Sequence, residues 1–435
     1  MTEELFHYLW RFRLYLPEMY KTSDGQALEI IHPGMPNKDA GPDFFNAKIK
    51  LGDTLWAGNV ELHLKASDWN RHGHQNNKAY DNVILHVVAE NNAETVTCSG
   101  VRVPVWQMPV NPQIAANYSL LLKAREKIPC SEKLNTISDF EFSTWMERMA
   151  VEKLEEKMFH VGQLLNIYTN NISEVFYIML ARVFGFGLNS EPFEQMARQT
   201  PLSIVLKNID RLNILEALFL GQAGFLDEPG DDEYMQVLYQ EYRFLRKKYN
   251  LIPLPKHQWK FLRLRPSNFP TIRIIQFAKL LHIQQLSPDK ILKETDFSKI
   301  DEALRVQVSS YWETHYIQGV ESPQKTKKLG KGTCDLITIN ALIPFLFIYG
   351  KTHGNDTQCE KALAWLRMLK AEQNSIVKQW KDAGVTIENA LQSQAVIHLT
   401  RSYCQHRKCL HCRIGHLVIS KKAAKFSDSK LNTAL

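Results

Sequence analysis

Gly41-Pro-Asp-Phe-Phe-Asn-Ala-Lys-Ile-Lys-Leu-Gly-Asp-Thr-Leu-Trp-Ala-Gly-Asn-Val-Glu-Leu-His-Leu-Lys65 is the stretch whose reading decides the fold. Two β-rich runs, 45–51 and 59–65, flank Gly52-Asp53, a dipeptide suited to a tight turn. The pattern predicts a hairpin with Asp43 at the mouth of its first strand. Side chains alternate faces along a strand. Glu61, His63 and Lys65 therefore share one face of the second strand, and Val60, Leu62 and Leu64 share the other. Ionisable groups are costly to bury without partners, so the first face either meets solvent or lines a site.

Outward from the hairpin, 28–31, 83–88 and 101–105 are further short β-rich runs punctuated by Gly, Asp, Asn and Pro. Residues 4–15 place apolar groups at 5, 6, 9, 12 and 14, the spacing of an amphipathic helix. Beyond about residue 113 helical spacing takes over and continues to about 403. The expected class is α+β. Residues 1–112 form an N-terminal mixed β-sheet domain with a flanking helix. Residues 113–420 form a larger all-α domain ending in a Cys/His site, and 421–435 form a basic flexible tail.

A chain of 435 residues is long for one core. With 44% hydrophobic and 23% charged residues, its composition is that of a globular protein rather than a disordered one. The start, Met1-Thr-Glu-Glu4, lacks the basic and apolar pattern of a secretion signal. Residues 336–349 are too short and interrupted for a bilayer span, which takes about 20 apolar residues; a buried helix is expected there. A cytoplasmic protein with no membrane association follows as the expectation. The net charge of +7 is carried by residues 401–435, where eight bases face only Asp428, leaving the first 400 residues neutral. Such an end either attracts phosphate backbones or only aids solubility.

Asp43 and Glu61 can hold Mg2+ or Mn2+ through carboxylate oxygens. Such an ion polarises a phosphoryl group and acidifies a bound water, while His63 or Lys65 steadies the attacking water or the developing charge. Pro42-Asp43 followed by a strand bearing Glu61 resembles the PD-(D/E)XK nuclease superfamily. That resemblance implies a restriction-endonuclease-like core and assigns Asp43 and Glu61 the metal, with Glu4 on the first helix as an additional acid. The departure is that His63 stands where the pattern has lysine, and Lys65 comes two residues later. Residues 37–88, with Trp56-Ala-Gly-Asn-Val-Glu-Leu-His-Leu-Lys-Ala-Ser-Asp-Trp69, His72-Gly-His74 and Ala79-Tyr-Asp-Asn-Val-Ile-Leu-His-Val-Val88, resemble an uncharacterised bacterial family, domain of unknown function 2851, which implies no activity of its own. A transition-metal site on His63, His72 or His74 is the alternative use of the histidines.

Seven cysteines and no secretion signal argue against a disulfide framework. Cys98, Cys130, Cys334 and Cys359 are scattered and read as buried thiols. Cys404, Cys409 and Cys412 are bunched, and with His416 (or His406) as fourth ligand they suit a structural Zn2+. Arg407, Lys408 and Arg413 around them are candidate nucleic-acid contacts. Two functions follow: a metal-dependent nuclease or nuclease-derived nucleic-acid binder, or a non-catalytic scaffold with a zinc-stapled end.

Overall fold

In the computed structural model, which describes residues 1–16, 20–229, 232–283 and 286–421, Gly52 adopts φ +56° and turns strand β4 (Phe44–Leu51) into β5 (Thr54–Lys65). The two pair antiparallel, with Phe44 opposite Val60 and Leu51 opposite Thr54. The pairing slips between Phe44 and Ala47, where Asn46 takes φ +56°. Asparagine tolerates this left-handed conformation, and the bulge re-aims the strand end that carries Asp43.

Around the hairpin lie α1 (Glu3–Arg11), β1 (Tyr20–Lys21), β2 (Ala27–His32) and β3 (Met35–Pro36) on the N-terminal side. On the C-terminal side follow α2 (Asp68–Arg71), β6 (Val83–Glu90), β7 (Val105–Gln107) and α3 (Pro112–Lys123). The sheet runs β1-β2-β4-β5-β6-β7, with β3 on β4. The pairs β1–β2, β2–β4, β3–β4 and β4–β5 are antiparallel, whereas β6 joins β5 and β7 joins β6 in parallel. The sheet is therefore mixed. The parallel step requires a crossover, and the turns around α2 supply it. Gly58 makes room beside that step: a Cβ there would sit 2.4 Å from Ile84 Cγ2.

Helix α1 covers the face bearing Val60 and Leu62. Thr2 caps it, its hydroxyl accepting from Leu5 N–H. Leu5, Phe6, Leu9 and Trp10 are buried, and the Trp10 ring lies 6.4 Å from Phe44 and 6.2 Å from Trp106. Its indole N–H donates to Pro33 O at 3.0 Å.

The chain divides into two compact units. The first comprises 1–145, 382–385 and 399–435; the second comprises 146–381 and 386–398. The sheet unit thus reaches well past residue 112 and takes back the end of the chain. Side-chain bonds explain the return: Tyr8 Oη meets His416 Nδ1 at 2.6 Å, and Asn117 Nδ2 donates to Ile419 O at 3.2 Å. From residue 422 onward the basic tail lies outside the described residues.

Helix α4 (Asp139–Ile167) leads out of the first unit. The second unit is helical, with a small hairpin at His315–Ile317 and Val320–Glu321. Helix Leu212–Gln222 is buried from Ile214 to its end. Lys331–His353 is long and apolar enough to cross a bilayer, yet 67% of its most apolar window is buried within the protein. It serves as a core helix, as the interrupted run 336–349 predicts. Pro344 follows its π-turn, Thr338–Leu342, in the first turn of the segment Ile343–His353, where it does not break the rod. Proline does divide the helical spacing elsewhere: Ser190–Arg198 ends before Pro201 and Leu202–Lys207 follows.

Trp10 fills the space between α1 and the sheet. Trp10→Ala should lower the unfolding free energy of the sheet unit by about 3–5 kcal/mol. Leu55→Ala, on a side chain 65% exposed, should stay within about 0.5 kcal/mol. Chemical denaturation of both variants checks this.

Candidate metal centre

The hairpin mouth is held by a crossed pair of hydrogen bonds. Asp43 N–H donates to Glu61 Oε2 at 3.0 Å, and Leu62 N–H donates to Asp43 Oδ2 at 2.9 Å. Each carboxylate thus satisfies a backbone group beside the other. Glu61 is 4% exposed, and burial pushes its carboxyl up to about 8, partly offset by the Asp43 N–H. Burial and the neighbouring Glu61 charge push Asp43 up to about 6, against the pull of His7.

Histidines crowd the same face. Register places His86 of β6 beside Glu61 of β5. His63 Nδ1 meets His86 Nε2 at 2.9 Å, and His86 Nδ1 meets Thr95 Oγ1 at 2.8 Å. The crossover contributes His72 and His74. His72 Nδ1 lies 3.1 Å from His63 Nε2, and His74 Nε2 lies 3.1 Å from Glu61 Oε1. Tyr80 stacks on the His74 ring at 3.9 Å between centroids. Burial, then the adjoining imidazoles, push His63 down to about 2; burial and His74 push His86 down to about 3. Burial lowers His74 too, against the Asp43 charge. The His63, His74 and His86 rings are therefore neutral, the form in which imidazole binds a metal.

One ring nitrogen from each of His63, His72 and His74 lies within 4.8 Å of the other two. Two nitrogens about 2.1 Å from one zinc-like ion, set at tetrahedral to right angles, stand about 3.0–3.4 Å apart. The His63–His72 separation of 3.1 Å fits such shared ligation, and Glu61 Oε1, 3.6 Å from His63 Nε2, completes an N3O set. Two buried nitrogens are left without a hydrogen-bond partner, His74 Nε2 and His7 Nε2, the latter 3.5 Å from Asp43 Oδ2. An ion among these groups would satisfy lone pairs that the protein alone leaves unused. The donor set is that of a first-row transition ion rather than of Mg2+, which prefers oxygens throughout.

Of the residues singled out from sequence, Asp43, Glu61 and His63 come together. Lys65 does not: its ammonium, 57% exposed, lies 3.8 Å from Glu90 Oε2 at the strand end. Glu4 turns to His411 at 3.3 Å; it is the charge of Glu3, one residue earlier, that acts on Asp43 and Glu61. His7 escaped the sequence reading, although its spacing of four from Glu3 on one helix face was a usable signal. Cys404, Cys409 and Cys412 are all buried, whereas His416 Nδ1 is engaged by the Tyr8 hydroxyl. Arg407 donates to Ala124 O at 2.6 Å and Glu126 O at 3.2 Å, Arg413 lies 3.8 Å from Glu141, and Lys408 is exposed.

The carboxyl shifts carry a sign. Glu61 keeps its proton at neutral pH and must lose it to ligate, while His63 and His74 have none to lose. Affinity for Zn2+ or Mn2+ should therefore rise with pH up to about 8 and level off above it, with release of about one proton per ion at pH 7. Calorimetry in buffers of different ionisation enthalpy measures that proton. Glu61→Gln should abolish the release.

No curated protein and no solved structure matches the chain. A family model described as "Protein of unknown function (DUF2851)" matches residues 3–375, and the chain belongs to that family.

Proposed function

We propose that the protein is a metal-dependent hydrolase of phosphodiesters, a nuclease, working at the centre formed by Glu61, His63, His72 and His74 with Asp43 beside it. The observation that carries this reading is the convergence of the His63, His72 and His74 imidazoles on the buried Glu61, with His74 Nε2 left without a hydrogen-bond partner. Support for the substrate class is separate. Asp43, immediately before β4, and Glu61, on the adjoining β5, lie at one end of a mixed sheet flanked by a helix, the arrangement implied by the resemblance to the PD-(D/E)XK superfamily. Exposed Arg71, paired with Asp68 at 3.1 Å, flanks the exposed ligand His72 with its guanidinium 3.4 Å from the imidazole, and would have to exchange Asp68 for a phosphate to lend it charge.

A transition ion bound here would supply Lewis acidity, drawing charge from a phosphoryl oxygen and making a water acidic at neutral pH. The chain's own groups would do the remainder. Asp43, with its carboxyl raised to about 6, is suited to take a proton from the attacking water. His7, 3.5 Å from Asp43 Oδ2, steadies the carboxylate before that transfer. Thr95 and His86 fix the orientation of His63 through a buried hydrogen-bonded chain.

Single- and double-stranded DNA and RNA should be cleaved in the presence of Mn2+ or Zn2+ by at least one pairing of substrate and metal. Glu61→Gln and His63→Ala should each lower the rate by about 100-fold or more. Lys65→Ala should change it less than about threefold, since its side chain stands outside the centre. Binding of the same substrates should weaken steeply with salt. Absence of cleavage and of salt-dependent binding across all four substrates would overturn the reading in favour of a scaffold.

A further inference from the structure

The three C-terminal cysteines have a fourth companion. Cys130, far upstream, closes the turn before the short helical stretch Ser131–Thr136. It is 8% exposed, and Cys404, Cys409 and Cys412 are 7%, 8% and 8% exposed. Arg407, between the first two of these, reaches the carbonyls of Ala124 and Glu126, which ties the C-terminal loop to the segment leading into Cys130. The proximity is electrostatic as well: the charges of Cys412 and Cys409 act on Cys130, and those of Cys130, Cys412 and Cys409 act on Cys404.

Hydrogen-bond donors converge on one of these sulfurs. Cys412 precedes helix Arg413–Ser420, and the Ile414 and Gly415 N–H groups face its sulfur. The Trp145 indole N–H, buried and without a hydrogen-bond partner, lies beside the same sulfur. Gly415 is required by the loop itself, because a Cβ there would sit 2.1 Å from Cys409 O.

We propose that Cys130, Cys404, Cys409 and Cys412 together ligate one thiophilic metal centre, with Cys130 rather than His416 as the fourth ligand. Four thiolates suit either zinc or an iron–sulfur cluster. A lone tetrahedral zinc holds its sulfurs about 3.8 Å apart. Among the described residues, no three cysteine sulfurs lie within 4.8 Å of one another. That wider spacing fits a cluster, which interposes several irons between its cysteines, better than a single ion. The role is structural: it closes the sheet unit by joining its last segment to the turn after α3.

The test uses the full chain carrying His72→Ala, which empties the histidine centre without touching a buried side chain. It is purified without oxygen and assayed for zinc, iron and acid-labile sulfide. Metal should be present, and X-ray absorption should show a sulfur-only ligand shell: zinc alone identifies a single ion, and iron with sulfide identifies a cluster. Cys130→Ala and Cys409→Ala should each lose about tenfold or more of that metal, while His416→Ala and Cys334→Ala retain it. A metal-free protein, a shell containing a nitrogen ligand, or metal kept by Cys130→Ala and lost by His416→Ala would overturn the proposal. The absorption spectrum decides even where the Cys130 variant does not fold.

Discussion

Everything at the hairpin mouth depends on the crossed bonds between Asp43 and Glu61. A carboxylate as deeply buried as Glu61 is costly to keep ionised, because the interior cannot replace its hydration. Here each acid accepts a backbone N–H from beside the other. The pair therefore locks the β4–β5 register at its open end as Gly52 does at its closed end. The bulge at Asn46 is part of the same device, since it lets the strand swing Asp43 toward Glu61 without disturbing the pairs from Ala47 to Leu51. What remains is proton affinity: two acids raised towards neutrality beside imidazoles depressed far below it. Groups whose environments push their titrations apart in this way are characteristic of working sites.

The sequence reading was strong where chemistry is periodic. Alternation along β5 set Glu61 and His63 on the face opposite Val60 and Leu62; pairing of Glu61 with His86 then brings the His63 and His86 rings together. Periodicity is silent about where a strand stops. Lys65 has the parity of Glu61, but β5 ends at Lys65 and its long side chain finds Glu90 instead. The same holds for Glu4, for which nearness in sequence to an acidic cluster outweighed the direction in which the helix presents it.

Contacts across long sequence separations left the least trace. Nothing local to Cys130 distinguishes it from any other buried thiol. Likewise, the loss of strand signals after residue 113 marked a change of secondary structure and not the edge of a folding unit. Helix α3 and the segment up to Trp145 remain with the sheet, and residues from Leu399 rejoin them. Composition cannot reveal such a return, because it is made by single bonds, Tyr8 to His416 and Asn117 to Ile419, between segments that each look like ordinary helix.

That return has a consequence for biosynthesis. The sheet unit is interrupted by the helical one and completed by residues 399 onward. Domains usually fold in order as the chain leaves the ribosome, N-terminal first. Here the strands emerge first, yet the partners of Tyr8 and Asn117 are made only after the whole helical unit. The second unit can settle while the first is still waiting, with part of α1 and α3 uncovered until residues 416–419 have left the ribosome. A ribosome stalled anywhere within the helical unit would thus hold a nascent chain with an unfinished N-terminal unit, a natural client for chaperones.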